Sequence, residues 1–191
     1  MIVSLAKAAE HVLRLKPIGV IHSPFLVASG TPIQPRAARG AAGAVTILPA
    51  FVPGLKDLDG FDRIWLIYWF HHAHYDPSRL IVIPFLDDLP RGVFATRAPT
   101  RPNVIGLSAV RLVSVRGNEL HIRNVDILDG TPLLDIKPYV PQFDSFAVAR
   151  CGWLQRRKLG RKTADWSFEL HESAGRHKAR RESGRSFNRR R

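Results

Sequence analysis

The chain has 191 residues, of which 45% are hydrophobic and 24% are charged, so it is long enough for one globular domain with a core. No apolar run approaches the ~20 residues that a membrane-spanning helix needs, and Lys7, Glu10 and His11 make residues 1–15 a weak signal peptide. Cys151 is the single cysteine, which excludes an intrachain disulfide and a four-cysteine zinc site and favours the cytoplasm as the location.

The formal net charge of +13 is unevenly distributed along the chain. Residues 156–191 hold 13 Lys or Arg against 4 Asp or Glu, whereas residues 1–155 hold 16 against 12. We therefore predict a domain over residues 1–155 and a basic, partly disordered extension over residues 156–191. Such an extension suits binding to nucleic acid, whose backbone charge dominates affinity. A solvated tail that mainly aids solubility is the alternative.

Many short β-like segments follow one another with little helical periodicity between them. Residues 4–14 have the composition of a short helix. The predicted strands are residues 15–23, 44–48, 63–70, 80–85, 92–96, 105–116, 119–125, 133–136 and 146–154. Residues 63–70 are interpreted as a central strand buried on both faces, and Gly117-Asn118 as a hairpin turn. The pattern predicts a mainly β fold, a single closed or nearly closed β-barrel with long loops and a short N-terminal helix.

Residues 92–108, GVFATRAPTRPNVIGLS, place Arg97 and Arg101 in a turn that contains Pro99 and Pro102. Proline fixes φ and removes an amide donor, so we predict a rigid loop between two strands. Arginine binds planar anions, and the loop would hold two guanidinium groups in defined directions. A proline-stiffened hairpin with solvated arginines is the alternative.

Three histidines, His71, His72 and His74, follow the predicted central strand. On a strand His72 and His74 would share a face, but no nearby carboxylate or cysteine completes a metal site, so no metal is predicted. The scattered acids of the first half are interpreted as turn and capping residues: Asp57, Asp59, Asp62, Asp87 and Asp88.

Asp129-Gly130-Thr131-Pro132 has the composition of a tight turn, in which Asp129 accepts backbone amide bonds and Gly130 adopts a positive φ. Asp135 and Lys137 lie two residues apart and would share a strand face, close enough for an ion pair. A structural turn followed by a surface salt bridge is the alternative to a functional site here.

Segment GVFATRAPTRPNVIGLSAV resembles the signature of the TsaA/YaeB-like family, also called TrmO, whose members are S-adenosylmethionine-dependent tRNA methyltransferases. Three further segments match the family in order and spacing: PIGVIHSPF (residues 17–25), LDGFDRIWLIYWFHH (residues 58–72) and LDGTPLLDIKPYVP (residues 128–141). The resemblance covers roughly residues 16–145. Val104 stands where the family usually has proline.

The resemblance implies a YaeB-like barrel that binds S-adenosylmethionine, and a homodimer, because the family builds its cofactor site near a subunit interface. The implied cofactor-binding residues are Gln34, Pro35, Arg36, His71, His72, Arg97, Asp129, Gly130, Thr131 and Pro132. Arg101 and Asn103 would orient the substrate or hold the loop. Asp135, Lys137 and Tyr139 would support the reacting centre.

The implied acceptor is the exocyclic nitrogen of threonylcarbamoyladenosine beside the tRNA anticodon. The protein would mainly align the reacting atoms, and Asp135, His71 or His72 would take the proton that this nitrogen loses. Longer family members carry an extra C-terminal domain, so the basic extension would replace it, or the tRNA activity would be altered. A non-catalytic RNA-binding barrel and a small-molecule methyltransferase are the alternatives.

Overall fold

The computed structural model describes residues 12–73, 75–156 and 163–164. In this part of the chain the strands are β1 (Gly19–His22), β2 (Ala42–Ile47), β3 (Arg63–Trp69), β4 (Ile81–Val82), β5 (Arg91–Gly92), β6 (Ile105–Arg116), β7 (Glu119–Arg123) and β8 (Thr131–Pro138). Six of them form a closed barrel in the order β1-β2-β7-β6-β3-β8, and β4 pairs with β5. The prediction of a mainly β, closed barrel is confirmed.

Helices are short in the described residues. One α-helical turn, α1 (Pro141–Asp144), follows β8, and 3₁₀ helices cover Pro35–Ala37, Pro49–Leu55, Leu58–Gly60, Val93–Ala95 and Gly152–Arg156. The predicted N-terminal helix falls for most of its length on residues 1–11, outside the described residues. No helix in the described ranges is both long and apolar enough to cross a membrane.

The core fills the barrel interior with side chains that alternate along each strand, as the two-residue period of a strand requires. Fully or nearly fully buried members include Ile21, Val45, Ile47, Ile64, Leu66, Val110, Leu120, Ile122 and Leu133. The prediction that β3 is buried on both faces is wrong, because its alternate residues face outward and Trp69 is 44% exposed. A barrel strand has one inner face, and no second layer covers the outer face of β3 in the described chain.

Three predicted strands differ from the structure. Residues 80–85 contain the two-residue strand β4, whereas residues 92–96 include only the second residue of β5, Gly92, and continue as a 3₁₀ turn. Residues 146–154 form no strand and end in a 3₁₀ helix instead. Six strands already pair on both sides in the closed barrel, so an added apolar segment finds no free edge there.

All neighbouring barrel strands are antiparallel, which fixes the end at which each connection lies. β1, β3 and β7 finish at the end where β2, β6 and β8 begin. The connections at this end are residues 23–41, 70–104 and 124–130, and we call it the loop end. The opposite end carries residues 48–62 and the turn 117–118, where the hairpin predicted at Gly117-Asn118 is confirmed.

Gly106 in β6 provides a test of this packing, because it pairs in register with Tyr68 of β3 and lies directly against the Tyr68 ring. A Cβ atom at Gly106 would overlap that buried ring. We expect Gly106→Ala to lower the free energy of unfolding by about 1–3 kcal/mol, the usual cost of overpacking a core, measured by urea unfolding. Gly92→Ala is the matched control, since its Cβ would meet nothing within 4 Å. Equal stability of the two variants would contradict the packing.

Candidate functional site

Two of the long connections meet at the loop end through side chains. Arg97 Nη1 donates a hydrogen bond of 2.6 Å to Gln34 Oε1, although the two residues are 63 positions apart. Gln34 precedes the 3₁₀ helix Pro35–Ala37, in which Pro35 occupies the first turn and Arg36 is exposed. The structure therefore brings together residues that the sequence assigns to the cofactor from two separate segments.

Arg101 holds the loop that presents Arg97. Its Nη2 atom donates to the carbonyl oxygens of Val93 (3.1 Å) and Thr96 (3.0 Å), and its buried Nε atom has no hydrogen-bond partner among the described residues. The Thr96 hydroxyl also donates to Val93 O and accepts from Ala98 N. These contacts support the loop-holding alternative for Arg101, whereas Asn103 is exposed.

A second set of contacts supports the same loop from outside. The carboxylate of buried Asp87 accepts hydrogen bonds of 2.9 and 2.6 Å from Arg91, and it also accepts the amides of Asp88 and Leu89. The Arg91 guanidinium lies 5.6 Å from the centre of the Trp153 ring, and Trp153 Nε1 donates to Ala95 O at 2.8 Å. The turn role predicted for Asp87 is present, and the ion pair adds to it.

The polypeptide that follows Trp153 also contacts the Gln34 connection. Gly30 N donates to Ala164 O (2.9 Å), and Ala164 N donates to Thr31 O (2.8 Å). Thr163 pairs with Pro32 as an isolated antiparallel bridge. The C-terminal segment thus touches both connections that meet at the Gln34–Arg97 hydrogen bond, and the division at residue 155 stays a prediction.

Asp129 joins the β7–β8 connection to the end of β1. Its Oδ1 atom accepts the Ser23 amide at 3.0 Å and lies 3.6 Å from His22 Nδ1. Gly130 adopts a φ of 73° while its amide donates to Ile21 O at 2.9 Å, which suits a residue without Cβ. These bonds give the tight turn its structural role and fix the backbone that leads into Thr131 and Pro132 at the loop end.

A buried polar cluster lies inside the loop end, and the sequence reading missed it. The Tyr68 hydroxyl is 3.1 Å from Ser108 Oγ, and Ser108 lies close enough to the Asp126 carboxyl to lower its pKa. Asp126 is partly exposed as a residue, but its Oδ1 atom is buried and finds no hydrogen-bond partner in the part of the chain that the structure describes. Ser108 occupies an inward position of β6 among apolar residues, and a polar residue at such a position is the sequence feature that could have indicated the cluster.

Burial raises the pKa of Asp126 from 3.8 to about 7, and the Ser108 hydrogen bond and the Arg97 charge oppose this rise. Burial and the charge of Asp126 likewise raise the pKa of the Tyr68 hydroxyl far above its ordinary value. The Arg97 guanidinium lowers the pKa of both the Asp126 carboxyl and the Tyr68 hydroxyl. The loop end therefore combines a guanidinium donor with a carboxyl group that has an unused acceptor atom.

His71 and His72 follow β3 at the same end, with ring centres 3.9 Å apart. Burial and the neighbouring His72 lower the pKa of His71, against a hydrogen bond to the Trp69 backbone. His71 is thus a neutral imidazole near pH 7, with a nitrogen lone pair available. In the described residues no group of three or more His, Cys, Asp or Glu is arranged to hold a metal ion, and His74 lies outside them.

Asp135, Lys137 and Tyr139 lie elsewhere in the chain's fold. Lys137 Nζ and Asp135 Oδ2 are 2.9 Å apart on the outer face of β8, so the predicted ion pair is present and largely solvent-exposed. The Tyr139 ring packs 5.5 Å from the Trp65 ring, near the end opposite the loop end. Within one chain the structure does not bring these three side chains to Arg97 and Gly130.

The sequence of the barrel matches a known family. Residues 20–145 match the model of the tRNA-methyltransferase O N-terminal domain. The chain belongs to this family. The TrmO family relationship extends to a probable S-adenosyl-L-methionine-binding protein of Pyrococcus abyssi, which is 53% identical over 155 residues, covering 80% of this chain and 83% of the relative.

Two further relatives extend the comparison within the TrmO family. A human tRNA (adenine(37)-N6)-methyltransferase is 34% identical over 138 residues, which cover 70% of this chain and 31% of the human protein. A crystal structure of TrmO from Pseudomonas aeruginosa superposes with a TM-score of 0.63 at 41% identity, covering 75% of this chain and 63% of that one. This chain therefore spans under two thirds of those two proteins.

The raised pKa of Asp126 makes stability depend on pH. Between pH ~4 and ~7 the folded protein holds a proton that the unfolded chain has released, so stability falls as pH rises through this window. We expect the wild type to lose about 1–3 kcal/mol more than Asp126→Asn across that range, measured by urea unfolding. Asp59→Asn, at an exposed position, is the control and should keep the wild-type slope. If the free energy of unfolding changes equally with pH in the wild type and in Asp126→Asn, the raised pKa of Asp126 is contradicted.

Proposed function

We propose that this protein is a cytoplasmic S-adenosylmethionine-dependent methyltransferase that acts on tRNA at the exocyclic nitrogen of the adenosine beside the anticodon, with threonylcarbamoyladenosine as acceptor. The observation that carries the proposal is the convergence at the loop end. There the Gln34–Arg97 hydrogen bond joins two connections, and Asp129 and Gly130 lie on the third. The name of the human relative supports the reaction, and the names of several relatives support the cofactor.

The groups at the loop end fit this cofactor, which carries an amino-acid carboxylate, an ammonium and a nucleoside. The Arg97 guanidinium suits a carboxylate, and the buried, unpartnered Oδ1 atom of Asp126 suits an ammonium or hydroxyl donor. Gln34, Pro35, Arg36, His71, His72, Asp129, Gly130, Thr131 and Pro132 would complete the binding site. When bound, S-adenosylmethionine supplies a methyl group activated by a positively charged sulfur.

The chain's own contribution to catalysis is alignment and proton removal. Arg101 fixes the loop that carries Arg97, which limits the freedom of a bound ligand. The neutral imidazole of His71 is the candidate acceptor for the proton that the acceptor nitrogen loses. Asp135 is a weaker candidate in the single chain, since its carboxylate is paired with Lys137 and accepts the Ile136 amide.

A homodimer is part of the proposal. The outer face of β3 and β6 exposes Trp69 (44%), Ile105 (37%) and Leu107 (52%), and these neighbours form an apolar surface beside the Asp135–Lys137 pair. Contiguous exposed apolar side chains on a soluble domain are typical of an interface. A second copy of the chain on this surface would place Asp135, Lys137 and Tyr139 at or beside the interface, which accounts for functional roles away from the loop end.

Arg97→Ala tests the cofactor site and the reaction together. We expect the variant to bind S-adenosylmethionine at least ~10-fold more weakly in calorimetric titration, since a hydrogen bond to a charged group contributes about 1.5–3 kcal/mol. The wild type should add one methyl group to adenosine in tRNA that carries threonylcarbamoyladenosine, detected by mass spectrometry of digested nucleosides. Arg79→Ala, an exposed arginine of the same connection, is the control. Equal binding by both variants would refute the site, and unmodified tRNA would refute the reaction.

Leu107→Lys tests the dimer surface. A charge in the middle of an apolar interface is costly to bury, so we expect the variant to be monomeric where the wild type is dimeric, measured by light scattering after size exclusion. Val113→Lys changes another exposed aliphatic side chain of β6, 54% exposed, and should leave the dimer intact. A monomeric wild type, or a dimer that survives Leu107→Lys, would exclude this surface.

A further inference from the structure

Three arginines form a row across the outer wall of the barrel. Arg63 of β3 pairs in register with Arg111 of β6, and Arg111 pairs in register with Arg123 of β7. Residues directly opposite each other on antiparallel strands point to the same face, and all three arginines are exposed. Since neighbouring strands lie ~4.8 Å apart, the row spans about 10 Å. We call Arg63, Arg111 and Arg123 the arginine row.

The arginine row has no acidic counterpart in the described chain. None of the ion pairs among the described residues includes any of its members. Arg63 and Arg123 donate only to backbone carbonyls, those of Ala109 (3.4 Å) and Gly40 (3.3 Å). Like charges placed directly opposite in a sheet are destabilising, so the row has a cost to the fold and leaves guanidinium donors unused.

The arginine row leads towards the loop end. It begins at the first residue of β3 and reaches the last residue of β7, which adjoins the β7–β8 connection. Arg123 donates to Gly40 O, exposed Arg39 precedes Gly40 in the chain, and exposed Arg36 lies two residues after Gln34. A groove lined by Arg116, His121 and Arg123, among others, flanks the row. Two further exposed arginines, Arg36 and Arg39, therefore lie on the segment between Gln34 and the residue that Arg123 contacts.

We propose that Arg63, Arg111 and Arg123 bind the phosphate backbone of the RNA substrate and guide it to the loop end. Guanidinium groups bind phosphates through paired hydrogen bonds, and a linear row of them matches a polyanion with regularly spaced charges. This inference rests on the proposed function, because it assigns a surface to the tRNA. RNA is favoured over an anionic membrane because the row is linear and runs towards a site.

The test compares two variants that lose the same charge. R63Q/R111Q/R123Q removes the row, and R14Q/R79Q/R150Q removes three exposed arginines elsewhere. Binding of fluorescently labelled tRNA is measured by anisotropy at salt concentrations from about 50 to about 300 mM, a range over which phosphate contacts are progressively lost. We expect the row variant to bind roughly 10-fold or more weakly and to lower the salt slope by about 2–3, while the control changes little. Equal losses in the two variants would overturn the inference.

Further readouts separate this inference from the proposed function. S-adenosylmethionine binding by the row variant should equal that of the wild type, and its methyl transfer should recover at saturating tRNA. If the wild type binds tRNA through the row but transfers no methyl group, the reaction is refuted and the surface stands. If it methylates tRNA while the row variant binds normally, the surface is refuted and the reaction stands.

Two additional arms keep the result interpretable. R63K/R111K/R123K retains the charge and should keep most of the affinity. If the glutamine triple variant fails to fold, Arg111→Gln alone is measured, because its side chain makes no hydrogen bond within the described ranges; an unchanged salt slope would then count against the row. Vesicles of phosphatidylserine and phosphatidylcholine are titrated in parallel, and row-dependent binding to vesicles but not to tRNA would overturn the assignment to RNA.

Discussion

The hydrogen bonds between β1 and β8 close the barrel, and the rest of the structure depends on this closure. With six strands paired antiparallel around a ring, the direction of each strand determines the end at which its connection lies. Three connections therefore gather at one end, although they come from distant parts of the chain. The interior is filled by apolar side chains, so ligand chemistry is confined to this end and to the outer wall. The barrel topology thus determines where the candidate site lies, and the individual side chains determine its chemistry.

The loop end is built from irregular backbone, and it is held by side chains that bind main-chain groups. Arg101 binds two carbonyl oxygens, Asp129 binds the amide after β1, and Trp153 binds the carbonyl of Ala95. Charged and polar side chains, as donors and acceptors, thus replace the ladder hydrogen bonds that strands would supply. Under the proposed function, Arg97, His71 and Asp126 would be the groups at this end that meet the ligand. Burial raises the pKa of Asp126 to about 7, and carboxyl groups with such strongly raised pKa values are found most often at functional sites.

Much of the barrel was predictable from the sequence because its signals are local. Strand β6 has the predicted bounds, since alternation and the Gly117-Asn118 turn mark both its length and its register. Residues 146–154 have a strand-like composition but no partner edge, and pairing is a property of the whole fold rather than of the segment. The family resemblance implies that Arg97 and Gln34 both bind the cofactor, whereas their direct hydrogen bond is visible only in the folded structure. The sequence does not predict that Asp126 and Ser108 meet, because an inward serine in β6 does not show which residue of another element lies against it.

The contacts of Trp153, Thr163 and Ala164 bear on how this domain should be delimited. A recombinant fragment ending at residue 150 would contain every barrel strand and would look complete by any count of secondary structure. It would nevertheless lack the Trp153 indole, which donates a hydrogen bond to Ala95 O, and residues 163–164, whose backbone pairs with residues 30–32. The packed unit of this chain therefore extends past its last barrel strand, and a fragment trimmed to the strands would lose these contacts.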